Sequence, residues 1–446
     1  MRGLVSLVRY EKGKGCLRNA IELCHGFRPL KGSSRVLIKP NLVGWTNKEA
    51  YPPFGVLTTS RLLEELIFCL KEEGVREISV GEASIACKHI GSSTEAIFQN
   101  LGYGKWQERY GVRLIDFNAG KMRQIDLDGH KVRITAHLDE CDFLINVPVL
   151  KTHGLTVVSL GMKNLKGLMD RRSKNYFHTK GYILEHLIVM LARHVAPDLT
   201  IIDGLYALER GPIHTGRAYR KGVVIASEDM FAADAVGAGI LGYPVSEVPL
   251  LREMAELDGR PPDLSDVQVM GDLSIEDVRQ RLLWEEPWDE EGERPLFFAK
   301  QGVEGFRFPK VDYSMCTGCA YIFTPAMLFI LSAKKQEPFA DFEILTGKIA
   351  EPSGRANKTF LFGRCMVKAR GKDPRIKEAV PIDGCPPTYE TLLKAFTDNG
   401  VEAKPEMLFG LRESIMKRYL SDPAFDLEDY YLQGAPVWMG KCHREV

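Results

Sequence analysis

The chain has 446 residues, more than one ordinary hydrophobic core accommodates, which predicts two or three domains. Its content of 45% hydrophobic, 26% charged and 9% aromatic residues is that of a folded globular protein and excludes a disordered one. Fifty-nine basic side chains balance fifty-nine acidic ones, so no global field draws the chain to nucleic acid or an anionic membrane, and electrostatic selectivity must be local.

The N-terminal stretch MRGLVSLVRYEKGKGC holds one short apolar run broken by Arg9, Glu11 and Lys12, without the apolar core of a secretory signal. No later run reaches the length a membrane helix needs. The expectation is a cytoplasmic protein with neither a nucleic-acid nor a membrane partner. Strands are predicted at Val36 to Lys39, Glu77 to Glu82, Val112 to Phe117, Phe143 to Pro148, Leu199 to Gly204 and Gly222 to Ser227, as continuous apolar runs suited to a sheet buried on both faces. From Ser60 to Glu73, Leu62, Leu63, Leu66, Ile67 and Leu70 form one helical stripe that stops at Gly74. Tyr182 to Val195 and Phe231 to Leu241 also read as helices. Strands alternating with helices predict an α/β fold, a mainly parallel sheet flanked by helices.

Between Leu283 and Pro295 the sequence LWEEPWDEEGERP turns acidic and loses apolar periodicity, as a surface connector does. The predicted organisation is an α/β domain over residues 1–290 and a smaller C-terminal cluster-binding domain over 291–446. The tail from Ser414 carries one amphipathic helix and an aromatic end, DYYLQGAPVWMG.

Ten cysteines in a long chain of a reducing compartment are core residues or ligands, not a disulfide framework. Four lie in the last third: CTGC contributes Cys316 and Cys319, GRCM contributes Cys365, and GCPP contributes Cys385. Two thiols three positions apart grip one centre, and two more from distant loops complete four ligands. Gly318, Gly363 and Gly384 beside them let backbone amides approach a sulfide. The two prolines after Cys385 pre-shape its loop. Zinc is the alternative occupant, although structural zinc sites usually bring a second tight C-x-x-C pair. Cys16, Cys24, Cys69, Cys87 and Cys141 read as small core hydrophobes, and Cys442 beside His443 lies at a terminus prone to fraying. The set resembles the cluster-binding pattern of the hydrogenase small subunit and the twenty-kilodalton subunit of complex I. That resemblance implies a 4Fe-4S cluster held by Cys316, Cys319, Cys365 and Cys385.

The segment KTHGLTVVSLGMKNLKGLMDRRSKNYFHTKG follows a buried strand and carries Lys151, Lys163, Lys166, Arg171, Arg172, Lys174 and Lys180 against one acid, Asp170. Positive charge at the C-terminal end of a parallel strand lies where open α/β sheets bind ligands. An anionic small molecule is the expected partner, gripped by Lys151 and Lys163 and by free amides at Gly161 and Gly167. Lys39, Asn41, Glu82, Asn146, Asn164, Lys166 and His178 are the further substrate-binding candidates, His153 the candidate proton carrier, and Asp203 either orients one of these groups or caps a turn. The plain alternative is a solvated lysine face. No G-x-G-x-x-G, Walker loop or H-E-x-x-H is present.

The motifs VLIKPNLV, VGEAS, LINVPVLKTHGLTVVSLGMKNLKGL, FHTKG, DLTIIDGLYALERGP and SEDMFAADAVGAGILGY, in that order, resemble the bacterial and archaeal family called domain of unknown function 362. The resemblance runs from about Val36 to about Tyr243. Members of that family often carry iron-sulfur ligands beyond this domain. The expected function is an iron-sulfur oxidoreductase or electron-transfer protein acting on a small anionic substrate, with a redox partner protein. One alternative is a non-redox isomerase or lyase on a hydroxy acid, since His153 and the glycine-lysine turn are similar to a short pattern of lactate racemase. The other is an electron carrier or cluster scaffold without its own substrate.

Overall fold

The computed structural model describes residues 2–47, 51–87, 91–178, 183–335 and 337–431. Lys180, Cys442 and His443 lie outside the described residues. The chain forms two units, one built from Met1–Lys174, Glu185–Trp284 and Arg418–Val446, the other from Asn175–Leu184 and Glu285–Lys417. The first unit therefore gives way to the second at Trp284, inside the acidic connector, but the expected block of 291–446 does not stay together: from Arg418 the chain returns to the first unit.

In the first unit the strands are β1 (Gly3–Arg9), β2 (Arg35–Pro40), β3 (Glu77–Glu82), β4 (Arg113–Asp116), β5 (Met122–Leu127), β6 (His130–Thr135), β7 (Phe143–Val147), β8 (Val149–His153), β9 (Val157–Ser159), β10 (Leu199–Gly211), β11 (Arg217–Ser227) and β12 (Val267–Met270). The main sheet runs β12-β1-β11-β10-β7-β2-β3-β4, with β8 on β10, β9 on β8, and β5 with β6 as a separate hairpin. The β2, β3, β4, β7 and β10 neighbours pair in parallel, as the continuous apolar runs predict. Antiparallel pairing enters where β10 runs on past Gly204 to Gly211 and the chain turns straight back into β11, whose Ser227 faces Thr200. A short return of this kind can only build an antiparallel pair.

Chain order reverses between β2 and β7: β3 and β4 add outward on one side of β2, and β7, β10 and β11 on the other. Lys39 and Asn146 are paired in register across that point. This is the crevice where open α/β sheets expose strand C-termini on both sides. The helix Ser60–Glu72 buries the predicted stripe of Leu62, Leu63, Leu66, Ile67 and Leu70, and Gly74 ends it with a positive φ of 79°. The helix Met230–Ile240 is buried along most of its length, including Asp234.

The returning C-terminal segment fastens onto the first unit. The ring of Phe54 is surrounded by Tyr206, Tyr419, Phe425 and Tyr430, with centroids 5.0–5.6 Å away. The Gly55 amide donates to the Tyr430 hydroxyl at 3.1 Å, Ser60 donates to the Tyr430 carbonyl at 2.5 Å, and Arg61 pairs with Asp429 at 2.6 Å.

The second unit has four parallel strands in the order β13 (Phe306–Arg307), β14 (Phe342–Leu345), β15 (Lys358–Phe362) and β16 (Ala379–Ile382). Its core is aromatic, with Phe306, Phe308, Phe329, Phe342, Phe360, Phe362 and Phe396 all buried. Among the described residues no helix is long and apolar enough to cross a membrane.

Candidate functional site

The strand ends of the first unit carry a closed polar network. Lys39, at the end of β2, is fully buried, and its ammonium donates to Glu82 Oε2 at 2.6 Å, to the Pro40 carbonyl at 2.7 Å and to Asn164 Oδ1 at 3.1 Å. Asn41 Nδ2 donates to the same Asn164 oxygen at 2.8 Å, and Asn164 Nδ2 donates to Asn146 Oδ1 at 2.8 Å. Lys151, on β8, donates to Asn41 Oδ1 at 2.6 Å, the Val56 carbonyl at 3.0 Å and the Pro212 carbonyl at 3.4 Å. Lys39, Asn41, Glu82, Asn146, Lys151 and Asn164 thus form one hydrogen-bonded cluster, gathered from strand ends far apart in sequence. Gly167 lies against the Lys39–Glu82 pair so tightly that a Cβ there would overlap both side chains.

Lys163 is different. It is partly buried, yet its ammonium has no hydrogen-bond or ion-pair acceptor among the described residues. Burial, and secondarily the charge of Lys151, lower its pKa to about 7. Burial also lowers Lys151 to about 7, helped by Lys39 and opposed by Glu82, but its three oxygen acceptors match the three protons of an ammonium. Lys174 donates to the Ala83 carbonyl, and burial lowers it to about 8, with Glu82 opposing. Lys39, Lys151 and Lys174 therefore share the single carboxylate of Glu82, with Lys163 beside Lys151, an excess of positive charge in poorly solvated surroundings.

The expected anion grip by the amides of Gly161 fails for a local reason. Asp234 accepts from the Gly161 amide at 2.6 Å and the Met162 amide at 2.9 Å, so the protein's own carboxylate fills that position. The Gly167 turn instead gives its carbonyl to the Ala83 amide at 3.0 Å. Asp203 orients neither Lys151 nor His153: its two oxygens accept from the Thr59 amide at 2.7 Å and the Leu205 amide at 3.0 Å, fastening the start of the helix Ser60–Glu72. Burial raises its pKa to about 6. His153 is buried beyond Lys151 on the same face of β8, and its Nδ1 accepts from the Leu155 amide at 3.0 Å, which leaves the proton of the neutral ring on Nε2. Lys166 is partly buried, with Glu185 within reach of its charge. His178 belongs to the second unit, where its Nδ1 lies 2.7 Å from the Tyr313 carbonyl and Lys348 donates to its own carbonyl at 2.5 Å.

In the second unit, Cys365 and Cys385 follow the ends of the adjacent parallel strands β15 and β16, and Cys316 caps the helix Thr317–Ser332 one turn before Cys319. The loops are tied: Gly363 donates to the Ile382 carbonyl at 2.9 Å and Arg364 to the Gly384 carbonyl at 2.8 Å. A Cβ on Gly363 would lie 3.3 Å from Cys319 Sγ, and one on Gly318 would lie 3.9 Å from both Cys316 Sγ and Pro386 Cδ. All four thiols are free of disulfides. Cys316 and Cys319 share a proton, which pulls Cys316 down and pushes Cys319 up, and Cys385 and Cys365 raise Cys319 further. Lys348 favours the thiolate at Cys316 and Cys365. The four sulfurs therefore feel one another, although among the described residues no three His, Cys, Asp or Glu side chains are grouped closely enough to hold a single metal ion.

Residues 36–239 match the family model described as Domain of unknown function (DUF362). That segment takes in β2 through β11 and every residue of the lysine network. Thylakoid-associated protein sll1697 of Synechocystis sp. is 27% identical over 268 residues, covering 58% of this chain and 80% of that protein. The lactate racemase apoprotein of Thermoanaerobacterium thermosaccharolyticum aligns with a TM-score of 0.35 and 13% identity over 54% of this chain and 57% of that one, less than two thirds of its length. Within residues 36–239, sequence reasoning missed Asp234. The signal was there: a lone acid inside the apolar run MFAADAVGAGI has to find buried donors.

Proposed function

We propose that this chain is an iron-sulfur protein of oxidoreductase or electron-transfer type, whose DUF362 segment binds a small anionic molecule. The convergence of Cys316, Cys319, Cys365 and Cys385 supports it most. A single zinc ion holding four thiolates at about 2.3 Å would draw the sulfurs to about 3.8 Å from one another. Loops that bring four thiols into mutual electrostatic range also suit a larger centre, in which iron and sulfide lie between the thiolates. Such a cluster, when bound, accepts and returns single electrons. Lys348 and the N-terminus of the helix Thr317–Ser332 favour the thiolate form that ligation requires.

The anionic ligand follows from the lysines around Glu82. Lys39 and Lys151 have their protons taken up by protein oxygens, so they act by charge, and Lys163 supplies the uncommitted group. The redox partner protein is inferred from the same reading, because a fully ligated cluster passes electrons on.

Anaerobic purification followed by iron, sulfide and zinc analysis tests the proposal. Iron with acid-labile sulfide, broad visible absorbance and their loss in Cys385→Ala support it. Stoichiometric zinc, or equal iron in the variant and the parent, overturns it. If iron is present and no small anion binds, the chain is an electron carrier or cluster scaffold.

A further inference from the structure

We propose that Lys163 is a nucleophile that forms a covalent iminium with a small 2-oxo acid. The inference rests on the reading of the first unit as an anion site and adds the reactive group and the substrate class. The cations of the hydrogen-bonded cluster have their protons committed, Lys39 to Glu82, Pro40 and Asn164, and Lys151 to Asn41, Val56 and Pro212, and Lys174 donates to the Ala83 carbonyl. Lys163 has no such acceptor among the described residues.

Its backbone is nevertheless held on both sides. Asp234 binds the two amides that open the turn Gly161–Asn164, and the neighbouring Asn164 is tied to Lys39, Asn41 and Asn146. An amine on a rigid turn, partly desolvated and next to another cation, is the arrangement that frees a lysine lone pair near neutral pH. Burial and Lys151 lower its pKa to about 7, in keeping with that state.

The chemistry selects the ligand. An amine nucleophile needs a carbonyl carbon, and the surplus positive charge around Glu82 needs a carboxylate beside it. In the step, the Lys163 lone pair attacks the ketone carbon, a carbon–nitrogen bond forms and the carbonyl π pair moves to oxygen. A nitrogen proton passes to that oxygen, which takes one solvent proton and leaves as water. The product iminium carries the positive charge, and no oxidant or reductant is consumed.

The test uses the full chain, pyruvate as the probe and cyanoborohydride to reduce any iminium to a stable secondary amine, with peptide mass spectrometry and titration calorimetry on the same samples. The expected result is one carboxyethyl group, on the Lys163 peptide, absent with lactate in place of pyruvate and lost in Lys163→Arg, which keeps the charge. Thermal unfolding of Lys163→Arg confirms that it is folded. Pyruvate binding without an adduct, or an adduct spread evenly over surface lysines, overturns the iminium and leaves the anion reading standing. Neither heat nor adduct in the folded parent overturns both.

Discussion

The pair Lys39–Glu82 decides how much the cluster costs to disturb. Both side chains are nearly solvent-free, so removing one strands the other's charge. Glu82→Leu is expected to lower stability by about 3–5 kcal/mol, and adding Lys39→Met to restore much of that, because an uncompensated buried charge costs more than its replacement by apolar volume. Urea unfolding midpoints of the two variants check this. Lys163 supplies a pH signature. Its folded pKa of about 7 lies below the ordinary 10.5, so between those values the unfolded chain holds a proton that the folded chain lacks. Stability should therefore rise with pH across that window and fall again as pH drops through about 7. Lys163→Met should flatten part of the rise when unfolding is followed at several pH values, and Lys151 should keep the rest. The polar types at strand ends were legible in sequence, because a lysine or asparagine closing a buried apolar run has to find partners. Which oxygen each one meets was not: Asp203 went to Thr59, and the Gly161 amides to Asp234.

The turn Gly161–Asn164 and the helix Met230–Ile240 act as one piece, joined by the Asp234 carboxylate. Asp234→Ala leaves two buried amides without an acceptor, which should cost about 1–3 kcal/mol for each group left unmade. It should also weaken anion binding, read by calorimetry, since it releases the backbone that carries Lys163. The segment from Phe425 to Tyr431 is a second joined piece. Ending the chain after Ser421 removes Phe425 and Tyr430 from around Phe54 and the partner of Arg61, and exposes the loop over residues 51–59. Limited proteolysis should then cut within that loop, which the parent resists. Among the strands, β2, β3, β4 and β7 were readable as unbroken apolar runs. The short apolar run GLVSLVR, closed by Arg9, also forms a strand, β1, and the bond between β10 and β11 depends on the turn that joins them, which no strand pattern records.

The two units interleave along the chain, so a cut at the acidic connector does not yield whole parts. A fragment of residues 1–290 carries the main sheet but lacks Asp429 and Tyr430, which bury against Tyr206, Arg61 and Gly55. It should unfold at lower temperature than the same fragment supplied with a peptide of residues 418–446. Equal melting with and without the peptide would show that the returning segment adds nothing. From the amino-acid string one could read the α/β class, the crevice-forming strand ends, the lysine-rich turn and the four cysteine loops, since burial, charge and Gly-Pro geometry act locally. The reversal between β2 and β7, the three lysines round one glutamate, the uncommitted amine of Lys163 and the electrostatic reach of Cys365 and Cys385 to Cys319 come only with the folded chain. Each is a meeting of residues tens to more than a hundred positions apart, and such meetings are set by strand order and packing, which no local pattern encodes.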